Sequence, residues 1–272
     1  MKIHCIQTGS LTLKQAVRTL AGPVWARYLR ALVDPRVTEP LPIQCWVIEH
    51  PDGIIVVDTG ELARASDPTF FDDDRDYRRV VRLAKAARFT VAPGDEIGPQ
   101  LNTLGIDSHK DVRTLVLTHL HCDHADGITY FPNAEILIAR TEFEHTHYAF
   151  PRTWPIWFRP KLVEYANGSI GAFATSQRIA NHVFLVPTPG HTHGHQSVMV
   201  REGEGWLCLA GDATYSEDQL RDAKVGGCVA DVKLARHTIE VLRRQCARYP
   251  TVYLPSHDPG AVVRLNTRKA VT

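Results

Sequence analysis

The chain has 272 residues, 44% of them hydrophobic, enough for a sizeable core in one large domain or two small ones. Its 31 Lys and Arg against 30 Asp and Glu leave a formal net charge of +1, which gives no electrostatic basis for binding nucleic acid or an anionic membrane surface. No apolar run approaches the ~18–20 residues of a bilayer span, and the first residues lack the apolar core of a secretory signal, so a cytoplasmic location is expected.

In chain order, Ile3 to Gln7 reads as a first strand ending at Gly9. Leu13 to Leu32 carries apolar residues at helical spacing, but Gly22-Pro23 interrupts it; two short helices, or a loop and a helix, are expected near a site mouth. Gln44 to Glu49 and Ile54 to Val57 are strands joined at Pro51-Asp52-Gly53, a hairpin signal, and the second ends in Asp58-Thr59-Gly60. Asp72-Asp73-Asp74 then reads as a solvated loop before Arg-rich, helical-looking sequence. Asp95 to Leu104 reads as a helix capped by Asp95.

Thr114 to Leu117 is a short, partly β-branched apolar run, read as a buried strand. It leads directly into Thr118-His119-Leu120-His121-Cys122-Asp123-His124, with Ala125-Asp126-Gly127 as a short helix start. Residues two apart in an extended segment face one side, so His119 and His121 are placed to bind one ion together. Asp123 and His124, past the turn, are placed for a second. Imidazole and carboxylate suit zinc, with manganese, iron or cobalt as alternatives.

Glu135 to Ala139 alternates into another strand. An aromatic-rich insert follows over about 140–180, with Trp154, Trp157 and Phe158 read either as walls of an apolar pocket or as ordinary core. Val183 to Val186 is a strand followed by the turn Pro187-Thr188-Pro189-Gly190-His191, and Gln196–Val200 with Trp206–Ala210 forms a second hairpin ending at Gly211-Asp212. Asp231 to Ala247 is an amphipathic helix with Ala235, Ile239, Leu242 and Cys246 on one stripe. Thr251 to Leu254 is the last clear strand, ending at Ser256-His257-Asp258. The six cysteines form no CxxC pair and read as reduced core residues, with Cys122 as packing or pocket wall. One device recurs: strand, turn, then His or Asp. Such residues converge if the strands lie side by side.

Thr118–His124, Thr188-Pro189-Gly190-His191, Gly211-Asp212, Ser256-His257 and the earlier Val57-Asp58-Thr59-Gly60 closely resemble, in order, the motifs of the metallo-β-lactamase superfamily. The resemblance implies an α/β protein, a single-domain αββα sandwich over 1–272, with a dinuclear site at one edge. It implies that His119, His121 and His191 bind one divalent ion, zinc first among the metals. Asp123, His124 and His257 would bind the other, and Asp212 would bridge both. Two divalent cations against two aspartates and one hydroxide leave about one positive charge to stabilise an oxyanion. His193 and His195 compete with His191 on spacing; the resemblance selects His191 and leaves the others as hydrogen-bond partners behind the ligands. Asp58 is expected to orient a ligand rather than bind metal.

Within the superfamily, Pro189-Gly190-His191-Thr192, Gly194-His195-Gln196-Ser197 and Gly211–Tyr215 look like the N-acyl-homoserine lactonases, which carry a tyrosine three residues after the bridging aspartate. The implied reaction is attack of a metal-bridging hydroxide on the lactone ring, with one ion and Tyr215 polarising the carbonyl and either Asp123 or metal-bound water protonating the leaving group. The alternative is another ester as substrate: an aryl ester, a phosphotriester or a thioester. A bridging aspartate argues against a true β-lactamase. The expected partner is a small lactone or ester, with no nucleic acid and no membrane; the assembly state is left open, with a homodimer as the candidate. Three departures from the family pattern bear on substrate: Cys122 stands where an apolar residue is common, Asp126 where glycine is common, and His193 where proline is common.

Overall fold

The computed structural model describes residues 1–67, 87–145, 155–165 and 176–272. Among them, β1 (Lys2–Leu13), β2 (Leu41–His50), β3 (Gly53–Val57), β4 (Ala87–Thr90), β5 (Val112–Val116), β6 (Glu135–Ala139) and β7 (Lys161–Val163) form one sheet. Its spatial order is β4-β1-β2-β3-β5-β6-β7. A second sheet holds β8 (Gln177–Ala180), β9 (Val183–Pro187), β10 (Gln196–Glu202), β11 (Gly205–Gly211) and β12 (Thr251–Pro255), ordered β12-β11-β10-β9-β8. The described helices are α1 (Gln15–Arg18), α2 (Arg27–Val33), α3 (Ile97–Thr103), α4 (Cys122–Ala125), α5 (Arg140–Glu144), α6 (Glu217–Arg221), α7 (Val232–Arg248) and α8 (Ala261–Thr267).

Strand periodicity explains the layers. Alternate side chains of the first sheet, Trp46, Ile48, Ile55, Val57, Val116 and Leu137, meet Leu185, Val198, Val200, Leu207, Leu209 and Leu254 of the second in one apolar core. The opposite face of the first sheet, including Val47, Val56, Leu115 and Leu117, packs on Ile97 and Leu101 of α3. On the far side, Met199, Cys208 and Tyr253 receive the Ala235, Ile239 and Leu242 stripe of α7, with half-buried Cys246 at its margin. The layers run helix, sheet, sheet, helix, as the sequence motifs imply. The Asp231 side chain starts α7 by accepting from the Lys233 and Leu234 N–H groups at 2.7 and 3.0 Å.

Strand direction decides where chemistry can occur. β3, β5 and β6 are mutually parallel. In the second sheet β10 is antiparallel to both β9 and β11, and β12 is parallel to β11, so β9, β11 and β12 run the same way. The residues that follow these strands therefore gather at shared sheet edges.

Several expectations change. β1 does not end at Gly9: it continues to Leu13 through a bulge between Gln7 and Ser10, where Gly9 takes a φ of +96° that disfavours side-chain-bearing residues. Asp95 does not cap the following helix. Its carboxylate accepts from the Ala92 N–H at 3.2 Å, closing a 3₁₀ turn, and α3 begins two residues later. Helix α4 starts at Cys122, ahead of the expected Ala125. The hairpin at 51–53 and the two short helices of the N-terminal segment form as expected. All six cysteines are free, but only Cys45 and Cys208 are fully buried. Phe158 is buried in the layer packed on α3, which favours the core reading for it; Trp157 is half-exposed, and Trp154 and Asp72-Asp73-Asp74 lie outside the described residues. Among the described residues no helix is long and apolar enough to cross a membrane.

Leu209 is fully buried between the sheets, so Leu209→Ala is expected to cost about 2–5 kcal/mol of unfolding free energy in a denaturant titration. Val263→Ala, at a site 63% exposed on α8, is expected to stay within about 0.5 kcal/mol of the parent. Similar losses at both positions would mean that the sheet interface is not the main core.

Candidate metal centre

Beyond β5 the chain bends at Thr118 and runs without regular structure to His121, the residue before α4. Leu120 is buried among the apolar residues beside α3, which leaves His119 and His121 facing the opposite side. The first turn of α4 then carries Asp123 and His124, and the His124 ring returns to within 4.1 Å of the His119 ring, centroid to centroid. The turn after β9 brings His191, the end of β11 brings Asp212, and the end of β12 brings His257. Two backbone bonds register these ends: the Ser256 N–H donates to the Gly211 carbonyl at 3.1 Å, and the Gln196 N–H to the Thr118 carbonyl at 2.9 Å.

The side chains form two adjoining sets. His119 Nε2 lies 2.9 Å and His191 Nε2 3.0 Å from His121 Nδ1. On the other side His124 Nε2 lies 3.3 Å from His257 Nε2, and Asp123 Oδ2 lies 3.4 Å from His257 Nε2. Asp212 stands between the sets. Its Oδ2 is 3.3 Å from His191 Nε2, while its Oδ1 is 3.3 Å from His124 Nε2 and 3.2 Å from His257 Nε2. Ligand atoms within 4.8 Å of one another group as His119/His121/His191, His119/His124/Asp212 and Asp123/His124/His257.

This arrangement fits divalent cations. Imidazole nitrogens converge at 2.9–3.3 Å with their lone pairs or protons facing each other. Buried Asp212 Oδ1 accepts no well-formed hydrogen bond. Cations between the groups would satisfy both, and a His/Asp donor set suits zinc.

Electrostatics divides the cluster. Burial pushes His119 and His191 well below the ordinary imidazole range, as neutral ligands require. Burial acts in the same direction on His124 and His257, but the Asp212 charge and its neighbours outweigh it and raise both. Burial alone would raise Asp212; the surrounding histidines hold it well below the carboxylate range.

Partners behind the cluster set the ring orientations. The His257 Nδ1–H donates to the Pro42 carbonyl at 2.8 Å, which turns Nε2 toward the centre. His124 Nδ1 donates to Asp58 Oδ2 at 2.8 Å, and Asp58 also accepts from the Thr118 N–H and hydroxyl at 2.7 and 2.8 Å. Asp58 thus stands behind His124 and outside the three ligand groups. His195 is likewise outside them: its Nε2 accepts from the Asp212 N–H at 3.0 Å and its Nδ1 meets the Thr188 hydroxyl at 2.8 Å. Exposed His193 lies beside exposed His145, ring centroids 5.7 Å apart. His147 lies outside the described residues.

Tyr215 follows Asp212 in the bend before α6. Its ring stacks on His257 at 5.6 Å between centroids and meets His191 edge-on at 6.1 Å. Burial pushes its hydroxyl well above the usual range, so it stays protonated and able to donate. Gln219 fixes the bend: its Oε1 accepts from the Tyr215 N–H at 2.8 Å and its Nε2 donates to the Arg18 carbonyl at 2.8 Å. Sequence reasoning missed Gln219, Pro42 and the buried Glu142, whose oxygens accept from the Leu120 and Gly194 N–H groups. No local pattern marks Pro42 or Glu142, whose partners lie far along the chain, and Gln219 joins the nearby Tyr215 N–H to Arg18, far along it.

The metallo-beta-lactamase superfamily matches residues 105–257 of this chain. The N-acyl homoserine lactonase AttM of Azorhizobium caulinodans is 31% identical over 237 residues, spanning 81% of this chain and 83% of AttM. A solved N-acyl homoserine lactone hydrolase, with the product N-hexanoyl-L-homoserine bound at its catalytic metal centre, has a TM-score of 0.77 at 24% identity and covers 95% of this chain and 93% of its own. AidC, a dizinc quorum-quenching lactonase solved with a product, has a TM-score of 0.65 at 18% identity, with 94% and 87% covered. At these identities the two structures establish likeness of fold.

Burial lowers His195 from 6.5 to about 3, so between those values the unfolded chain holds a proton that the folded chain lacks. Stability is therefore lost as pH falls from about 6.5 toward about 3, with a slope approaching ~1.4 kcal/mol per pH unit from this group. In metal-stripped protein, His195→Gln is expected to shrink the fall in urea midpoint between pH 7 and pH 5. An undiminished fall would assign the whole effect to the other buried imidazoles.

Proposed function

The chain belongs to the metallo-beta-lactamase superfamily, and on that premise we propose that it is a dinuclear-metal lactonase that opens the ring of N-acyl-homoserine lactones. In this reading His119, His121 and His191 would hold one zinc ion, Asp123, His124 and His257 would hold the second, and Asp212 would serve both. The observation that carries the reading is the Asp212 carboxylate with one oxygen toward each histidine set and the Tyr215 ring beside both His191 and His257. The similarity to lactonases over four-fifths of the chain supplies the substrate class.

Bound divalent ions supply two things: water whose pKa is lowered toward ~7 and polarisation of an ester carbonyl. The chain's own side chains do the remaining work. The Tyr215 hydroxyl donates to the ring carbonyl oxygen, and more strongly as that oxygen becomes an anion. Asp123, on the outer side of the second set, carries the proton from the attacking water to the leaving alkoxide. Asp58 and the Pro42 carbonyl keep His124 and His257 with Nε2 inward, so the histidines need not reorient when metal arrives.

The purified protein is expected to hold about two metal ions per chain and to hydrolyse acyl-homoserine lactones faster than aryl esters, thioesters or a phosphotriester. One tightly held ion, with no gain on adding metal, would sink the dinuclear reading; preference for another ester would sink the substrate. Asp212→Asn should lose more metal and activity than Asp58→Asn, because it removes a ligand as well as charge between the two sets. Tyr215→Phe keeps the ring and its stacking. Loss of a dominant oxyanion donor costs ~10²–10³ in rate, and sharing with metal reduces the expected loss in kcat/KM to about 10-fold. Metal content and Tm should be nearly unchanged, and parental kcat/KM would refute the role of the hydroxyl.

A further inference from the structure

We propose that Glu142 is a positioning residue that holds the two histidine loops of the first metal set at their working separation. The inference rests on the reading of His119, His121 and His191 as ligands to one ion. Glu142 lies on α5, at the start of the aromatic insert, and is 3% exposed. Its Oε1 accepts from the Leu120 N–H at 3.0 Å and its Oε2 from the Gly194 N–H at 3.0 Å. Leu120 sits between His119 and His121. Gly194 sits between His191 and His195, the residue that accepts from the Asp212 N–H. One side chain thus ties the loop after β5, in the first sheet, to the loop after β9, in the second.

The contact is built closely. A Cβ on Gly194 would lie 2.0 Å from the Glu142 nitrogen and 2.4 Å from its Cα, so only glycine lets this loop reach α5. The sheets are also tied through Gln196, whose N–H and side-chain amide donate to the Thr118 and Leu117 carbonyls at 2.9 Å. Those bonds act one step back toward the strands; Glu142 acts at the level of the histidines. A carboxyl group suits the task because both oxygens accept. A glutamine has one accepting oxygen and one donating amide, so it would leave a buried N–H facing a donor.

The test uses the metal-loaded protein, with Glu142→Gln and Glu142→Asp beside the parent. Four quantities are read: metal retained against graded EDTA, amide exchange at Leu120 and Gly194, Tm with and without metal, and kcat and KM on N-hexanoyl-L-homoserine lactone. For Glu142→Gln, the EDTA concentration that strips the more labile ion should fall about 10-fold, in line with groups that orient metal ligands. At least one of the two amides should exchange faster, kcat should fall with little change in KM, and Tm should fall further with metal than without. Glu142→Asp keeps the charge but shortens the reach by one methylene, and it should share these losses; it decides the matter if Glu142→Gln does not fold. Parental metal retention in the variants, equal Tm losses with and without metal, or full rescue by Asp would each overturn the positioning role while leaving the metal reading standing. A parent protein that binds no metal would instead overturn that reading, and this inference with it.

Discussion

Seven buried or nearly buried imidazole and carboxylate groups are driven together at one sheet edge, and the rest of the structure is arranged around that demand. His119, His121 and His191 bring nitrogens to within 3.0 Å of one another in sequence, and Asp212 offers a buried oxygen with no well-formed hydrogen bond. Left to themselves such groups repel or stay unsatisfied. Burial, which makes the arrangement costly for protonated imidazole, also keeps His119 and His191 in the neutral form that a cation needs. The same desolvation that opposes the cluster prepares it.

Holding the cluster in place is a matter of strand direction first and of hydrogen bonds second. Parallel β11 and β12 set Asp212 and His257 side by side, and β9 runs the same way to deliver His191. Three of the rings are then turned by a partner on the far nitrogen: Pro42 for His257, Asp58 for His124, Thr118 for His119. The Thr118 hydroxyl donates to Asp58, which leaves it an acceptor toward His119 and points that ring's Nε2 inward. The backbone of Asp212 is fixed in turn by His195. These are neutral or singly charged contacts inside low-dielectric surroundings, where a satisfied network holds geometry and a broken one is costly.

The parts legible in the sequence are those set by short-range physics. Thr114 to Leu117 reads as a short apolar run and Glu135 to Ala139 as an alternating one, and both fall in strands or at a strand's end. All seven ligand candidates fall into the cluster because each follows a strand within a few residues. What escaped has long-range causes. Gly9 looks like a stop signal, yet it serves as a bulge because β2 and β4 pair on either side of it. β4, β7 and β8 are edge or near-edge strands of three or four residues, too short for a periodic signal. Glu142 and Gln219 resemble ordinary surface polar residues until partners 52 and 201 positions away bury them.

The three departures from the family pattern do not weigh equally on substrate choice. Asp126 is 3% exposed, and Arg64 approaches its carboxylate at 3.7 Å. Its neighbour Glu61 is fully buried; burial first, then the Asp126 charge, pushes the Glu61 carboxyl well up, so that pair can share one proton. The added acid is thereby absorbed in the wall behind α4. His193 is exposed and is not a member of the three ligand groups. Cys122 differs. It packs against the apolar group that contains Tyr215, Leu11, Ile43 and Ala65. Burial raises its thiol well above the usual range, so it is not poised there as a nucleophile. Of the three, Cys122 is the one that packs with the Tyr215 group.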